Sequence, residues 1–318
     1  MERRSRARIE GQITEAAWLY YHDDLNQNDI ARRLGVSRAT VANYLSEARR
    51  KGHVRVSLTP EAFGTHSLAR DLVAHFGLTG ALVVPPGAGD RADALRRTAR
   101  ACADWLPDLM APGDRLGVSW GETVFLVSEA AERMSLPDLT IVQMVGSRAT
   151  PLGFAAETCS ANLARRFGAG CVNLHAPLIV GDADLAARLR AEPVIAEQLA
   201  AIATCNKTLF AAGSCTLNSH IVKNGVVTPD LLADYVARGA QAVLCGRFID
   251  GDGIPIPGEM DDRMIGVELP TMPGKDMGLL VSSGPDKVAP IRAAIRGGFA
   301  THLVTCWATA EALLGAPA

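Results

Sequence analysis

Between residues 37 and 50 the chain carries Ser37, Arg38, Ala39, Thr40, Asn43, Tyr44, Arg49 and Arg50, a set whose chemistry is the reading of base edges and phosphates. The Asn43 amide suits adenine in a bidentate manner, Arg38 can reach guanine or a phosphate, and the Ala39 and Thr40 methyls fit thymine methyls. Tyr44 lies on the flank, where its hydroxyl reaches a phosphate, and Arg49, Arg50 and Lys51 extend a basic edge. Such groups act together only from one slim polar helix face that can enter a groove.

A second set follows apolar runs of strand length. Ser119, Gly121, Glu122 and Thr123 lie in "SWGET", Gly146 closes "LTIVQMVG" with Ser147 and Arg148 directly after it, Gly213 lies in "KTLFAAGS", and Lys287 follows "MGLLVSSG". Amides freed by glycine, hydroxyls and a few cations suit phosphate or polyhydroxyl groups. Asp250 and Asp252 in "IDGDGIP" read either as paired carboxylates or as a glycine-rich Asp turn, and Asp250 joins the candidate effector-binding residues.

The elements that must position the first set come from residues 10–58. "EGQITEAAWLYYHDD" spaces Ile13, Ala16, Ala17 and Leu19 or Tyr20 as a helix ending near His22. Asn26 is the expected cap of a short helix with Ile30 and Leu34 inward, and Gly35 ends it. Ser37 is the expected N-cap of the next helix, which turns Val41, Leu45 and Ala48 inward and stops before Gly52. Two short helices around a tight glycine turn make a helix-turn-helix, and "HVRVSL" (53–58) predicts a small wing strand. A boundary is expected at "TPEAFG", which divides the chain into 1–58 and 59–318.

After the boundary, short apolar runs alternate with helical patterns such as "ADALRRTARACADWLPDLM" and "AETCSANLARRFG". The runs include "GALVVPP", "DRLGVSWG", "GCVNLHAP", "GAQAVLCG", "RMIGVEL" and "THLVTCW", which predicts an α/β fold with a mostly parallel sheet. Ligands in such folds bind beyond the carboxyl ends of the strands.

Charge supports the division. Residues 1–60 hold 11 Lys and Arg against 7 Asp and Glu, so the remainder holds 32 − 11 = 21 against 34 − 7 = 27. The small N-terminal piece is net basic, as expected if it alone approaches phosphates. The chain shows no apolar run of membrane length, and a cytoplasmic location is expected. Seven cysteines without a C-x-x-C pair are expected to be buried free thiols. No dinucleotide or Walker fingerprint appears, and His175, His220 and His302 lack metal-ligand spacing, so no cofactor, metal or catalytic residue is expected.

In combination, "QNDIARRLGVSRATVANYLSEARRKGHVRV", "DRLGVSWGETV", "NLHAPLIV", "FIDGDGIPI", "RMIGVELP" and "KVAPIRAAIRGGFATHLVTCWATAEALL" resemble a SorC-type sugar-binding transcriptional regulator over nearly the full length. The resemblance implies a winged helix-turn-helix domain and an effector domain similar to the ribose-5-phosphate isomerase and glucosamine-6-phosphate deaminase fold. It implies double-stranded operator DNA and a small sugar, sugar phosphate or polyol as partners, a dimer or tetramer, and repression relieved by ligand in a carbohydrate or polyol operon. Ser119, Gly121, Thr123, Gly146, Gly213 and Lys287 would line the ligand site. The chain departs from the pattern at Val243, where an acid is usual, and at Cys306 and Trp307, where an Asp-Glu pair is common. Those changes imply a more apolar pocket edge. Two rival readings are a sugar-phosphate isomerase or deaminase with a DNA-binding appendage, and a constitutive DNA-binding protein whose large domain only oligomerises.

Overall fold

A computed structural model describes residues 2–54, 67–148 and 155–315, with side chains from residue 8 onward. The chain divides into two compact units, Met1–Leu58 and Thr59–Ala318. In the first, the described helices are α1 (Glu2–Tyr21), α2 (Gln27–Leu34) and α3 (Arg38–Arg50). Their ends follow local chemistry. The Asn26 side chain accepts the amides of Asn28 and Asp29, at 3.0 and 3.1 Å, and Gly35 closes α2 in the left-handed region at φ 66°. Ser37 Oγ accepts the Thr40 amide at 3.0 Å and starts α3. Ile13, Ala16, Ala17, Leu19, Ile30, Val41, Leu45 and Ala48 meet in one buried cluster, as their spacing predicts. Residues 55–58 of the expected wing and the boundary at 59–64 lie outside the described residues.

The strands of the second unit are β1 (Gly80–Val84), β2 (Arg115–Val118), β3 (Thr140–Gln143), β4 (Gly170–Val172), β5 (Lys207–Phe210), β6 (Gly213–Ser214), β7 (Ala242–Leu244), β8 (Arg247–Ile249), β9 (Met277–Val281) and β10 (His302–Cys306). Seven form a parallel sheet in the order β1-β10-β9-β5-β2-β3-β4. Helices α4 (Ser67–Phe76), α5 (Arg91–Trp105), α6 (Glu122–Ala130), α7 (Ala156–Phe167), α8 (Ala183–Ala191), α9 (Pro193–Ala203), α10 (His220–Lys223), α11 (Pro229–Ala237), α12 (Glu259–Arg263), α13 (Val288–Arg296) and α14 (Trp307–Gly315) complete it.

The strands read as continuous apolar runs because both faces of the sheet are covered. Leu82, Val84, Leu279, Val281 and Val304 enter one core with Cys102, Val124 and Phe167 of α5, α6 and α7. Alternate residues, Ala81, Val83, Leu280 and Leu303, enter the other, with Leu72 of α4 and Ile291 of α13. Period-two alternation thus divides each strand between two cores.

Two expected strands turn out differently. "GAQAVLCG" contributes β7 not to the parallel sheet but to a small antiparallel sheet, β6-β7-β8. The two-residue turn Cys245-Gly246 joins β7 to β8 with φ of 52° and 88°, the doubly positive geometry that matches strand twist in a tight hairpin. "RMIGVEL" forms no named strand; Met264 and Gly266 make isolated bridges to Ile179 and Val145. Of the seven free cysteines, Cys102, Cys159, Cys205 and Cys245 are buried, whereas Cys215 and Cys306 are half-buried and Cys171 is exposed. No helix among the described residues is long and apolar enough to cross a membrane.

Candidate functional site

On α3, Arg38, Ala39, Asn43 and Arg49 are exposed and Thr40 half-buried, opposite the inward Val41, Leu45 and Ala48. The side chains of Arg38, Asn43 and Arg49 make no hydrogen bond or ion pair among the described residues, so their donors are open to a partner. Three other candidates are already engaged. The Ser37 oxygen is spent on the cap, where it also lies 2.8 Å from Thr40 Oγ1. Arg50 holds Glu47 through two contacts of 2.6 Å. Tyr44 donates its hydroxyl to Gln12 Oε1 on α1 at 3.1 Å, so it braces the helix pair rather than standing free on the flank.

In the second unit a cavity of about 590 Å³ opens beyond the carboxyl ends of β9, β5 and β2. These three strands are neighbours in the sheet, so the loops that leave them converge. Ser119, Gly121, Glu122 and Thr123 follow β2, Gly213 follows β5, and Lys287 follows β9, and all line the cavity.

Gly121 makes the first wall. Its φ of 113° is open to glycine and strained for other residues, and it begins α6 without a side-chain cap. The first bond of α6 runs from the Phe125 amide to the Gly121 carbonyl at 2.9 Å. The amides of Glu122, Thr123 and Val124 therefore have no acceptor within the helix, and the helix dipole favours an anion there.

A charged cluster makes the second wall. Asp286 takes Arg91 of α5 as a partner, lies 3.3 Å from Lys287 Nζ, and accepts the Ser214 hydroxyl at 3.1 Å. Burial opposes the charge on Asp286, but Lys287, Arg91 and Ser214 together outweigh it and hold the carboxyl below its usual value. Burial also pushes the Lys287 ammonium below its usual value, against the pull of Asp286. On the third side α10 brings His220, whose Nε2 is 3.0 Å from Glu122 Oε2, together with Lys223 and Ser219. The Ser219 hydroxyl is buried and has no hydrogen-bond partner among the described residues. Arg91, Ser219, Lys223 and Asp286 escaped the sequence reading. The carboxyl-end rule could have found Arg91, which follows β1, whereas nothing periodic marks "NSHIVK".

Four candidates stand outside the cavity lining. Gly146 is pressed against Pro177, whose carbonyl oxygen would lie 2.4 Å from an added Cβ. Ser147 bridges to Pro177, and Arg148 donates to the carbonyls of Asn224 and Gly225 at 2.7 and 3.0 Å. Asp250 closes its own turn, with Oδ1 accepting the amides of Asp252 and Ile254 at 3.0 and 2.8 Å. That geometry is the glycine-rich Asp turn, and it separates Asp250 from Asp252, which lies 3.7 Å from Arg296. Val243 lines the cavity, but Cys306 and Trp307 do not; Cys306 Sγ contacts Thr309 Oγ1 at 3.2 Å. Among the described residues no group of three His, Cys, Asp or Glu is arranged to hold a metal.

Residues 61–315 match the family model described as "Putative sugar-binding domain". The chain is 32% identical over 307 residues to the uncharacterized transcriptional regulator YjhU of Escherichia coli (strain K12), covering 95% of this chain and 94% of that one. It is 29% identical over 302 residues to the deoxyribonucleoside regulator of Bacillus subtilis (strain 168), covering 94% and 96%. The full-length sorbitol operon regulator SorC from Klebsiella pneumoniae has a similar fold, with a TM-score of 0.78 at 24% identity over 95% of this chain and 97% of that one. Relatives named as transcriptional regulators point to a regulator and not an enzyme.

Proposed function

The chain belongs to the SorC-type family of transcriptional regulators with a sugar-binding domain, and from that premise we propose that it controls a carbohydrate or polyol catabolic operon in response to a small effector held in the cavity. One observation carries the proposal: the uncapped start of α6, Lys287 and Arg91 line one cavity, with Ser219 beside them. That is a donor set for a phosphate or another oxygen-rich anion. A sugar phosphate fits it better than a free polyol. Residues 1–58 are the DNA-binding domain and 59–318 the effector and oligomerisation domain.

On DNA, Arg38, Ala39, Thr40 and Asn43 meet base edges, Arg49 meets a phosphate, and Arg50 does so by exchanging Glu47 for the phosphate. Ser37 orients the helix through its cap, and Tyr44 through Gln12. Paired recognition helices of a dimer or tetramer must sit about one helical turn apart on an operator. An effector that favours one arrangement of the large domains shifts that population and so changes operator affinity, with relief of repression as the favoured sign.

A thermal-shift screen of free and phosphorylated sugars and polyols, followed by operator titration with the best hit, tests this. A compound that stabilises the protein and moves the titration supports it. Specific operator binding with no stabilising compound would favour the constitutive reading, because a ligand without differential affinity shifts nothing.

A further inference from the structure

Resting on the reading of the cavity as an anion site, we infer that the effector presents carbon rather than hydroxyl to the wall formed by Val243, and that Val243 sets this preference. The ligand class is a phosphorylated molecule with one sparsely hydroxylated edge, not a fully hydroxylated sugar or polyol.

The argument is an inventory of acceptors. Every buried hydroxyl of a ligand must donate to something, because an O–H taken from water without a replacement is penalised. Carboxylates are the strongest acceptors, and among the described residues two line the cavity, Glu122 and Asp286. Both are engaged within the protein. Asp286 serves Arg91, Lys287 and Ser214, and Glu122 faces His220. The other charged groups, Arg91, Lys223 and Lys287, only donate, as do the amides that begin α6. Neutral acceptors, the Thr123, Thr216 and Ser283 hydroxyls and the Asn218 amide, also line the cavity, and none of them stands on β7.

The wall between β5 and β7 offers no acceptor side chain of this strength. Ala211, Ala212, Gly213, Val243 and Cys245 line it. Val243 is the register partner of Gly213, and its Cβ lies 3.2 Å from where a Gly213 Cβ would stand. The valine side chain therefore occupies the space over Gly213, with the Val243 carbonyl oxygen 3.5 Å from the same point, and a ligand passing that glycine meets a side chain that offers no acceptor. Val243 is itself buried, at 7% exposure, and turns an apolar side chain to the cavity. A hydroxyl placed there loses its partner, which weakens binding by roughly tenfold.

Calorimetric titration of the full-length protein tests the inference with ribose 5-phosphate, glucose 6-phosphate and glycerol 3-phosphate, each against counterparts lacking one hydroxyl. Inorganic phosphate serves as the anion-only probe. The wild type is expected to bind at least one deoxy counterpart as tightly as its parent or more tightly. Val243→Asn and Val243→Thr, which add an acceptor without a charge, should then shift that ratio toward the parent by about tenfold. Thr nearly preserves the shape of valine and keeps the test open if Asn unfolds the site. If every deoxy compound binds the wild type tenfold more weakly than its parent, or both variants leave the ratio unchanged, the inference falls while the anion site stands. If neither inorganic phosphate nor any phosphorylated probe binds, the anion site itself falls, and the inference with it.

Discussion

Lys287 Nζ lies 3.3 Å from Asp286 Oδ2, and the pair stands at the end of β9, where the Pro285–Lys287 turn leads into α13. Burial lowers the ammonium's pKa from its usual value, and the carboxylate beside it opposes that shift.

Lys287→Met should therefore weaken effector-induced stabilisation and the effector's influence on operator binding by at least tenfold, while effector-free operator affinity stays within about twofold. Thermal shift and operator titration, run on the same preparation, check both halves. An unchanged effector response would remove Lys287 from the site.

Asn43→Ala on α3 should cost about 1–3 kcal/mol of discrimination at one base position and leave non-specific DNA affinity nearly intact. Operator variants changed one base pair at a time measure this. Uniform weakening across all sequences would reassign Asn43 to a phosphate contact.

Asp250→Ala removes the oxygen that accepts the Asp252 and Ile254 amides. Stability should fall by about 1–3 kcal/mol in urea unfolding, with the effector response per folded molecule unchanged. Loss of effector affinity without loss of stability would restore Asp250 to the ligand site. Turnover of a sugar phosphate, abolished by this change, would revive the enzyme reading.

Asp114 predicts the acid limb of the stability curve. Its side chain is nearly buried beside Lys207, and Asn206 Nδ2 donates to it at 2.8 Å. Burial opposes the charge, but Lys207, Asn206 and the Ala111 amide outweigh it and hold the carboxyl below its usual value. A depressed carboxyl pKa contributes stability above the unfolded value of about 4 and loses it as pH falls through the folded value. Asp114→Asn should cost about 3 kcal/mol near neutral pH, and the gap to wild type should close as pH falls below about 4. Urea midpoints measured across that range decide it; a gap independent of pH would mean that packing, not charge, is lost.

Local chemistry made most of the elements legible. Asn26, Gly35 and Ser37 announce the ends of α2 and α3 because a cap is a hydrogen bond between near neighbours. The continuous apolar runs announce the parallel strands because a sheet covered on both faces admits little else. The hairpin at Cys245-Gly246 was missed, since "CG" is a rare way to write a turn that needs two positive φ angles. With it went the small antiparallel sheet that carries Val243 into the cavity wall.

Sequence alone thus determined the helix-turn-helix elements with their outward polar face, and which loops follow strand ends. Tertiary structure decided which of those loops meet. β9, β5 and β2 are adjacent in the sheet, so Lys287, Gly213 and Thr123 converge although they are far apart along the chain. Gly146 also follows a neighbouring strand, β3, yet it packs against Pro177, a contact no spacing in the chain reveals. Caps and periodicity act over a few residues, whereas strand order, and the partner that spends each side chain, are set by packing across the whole domain.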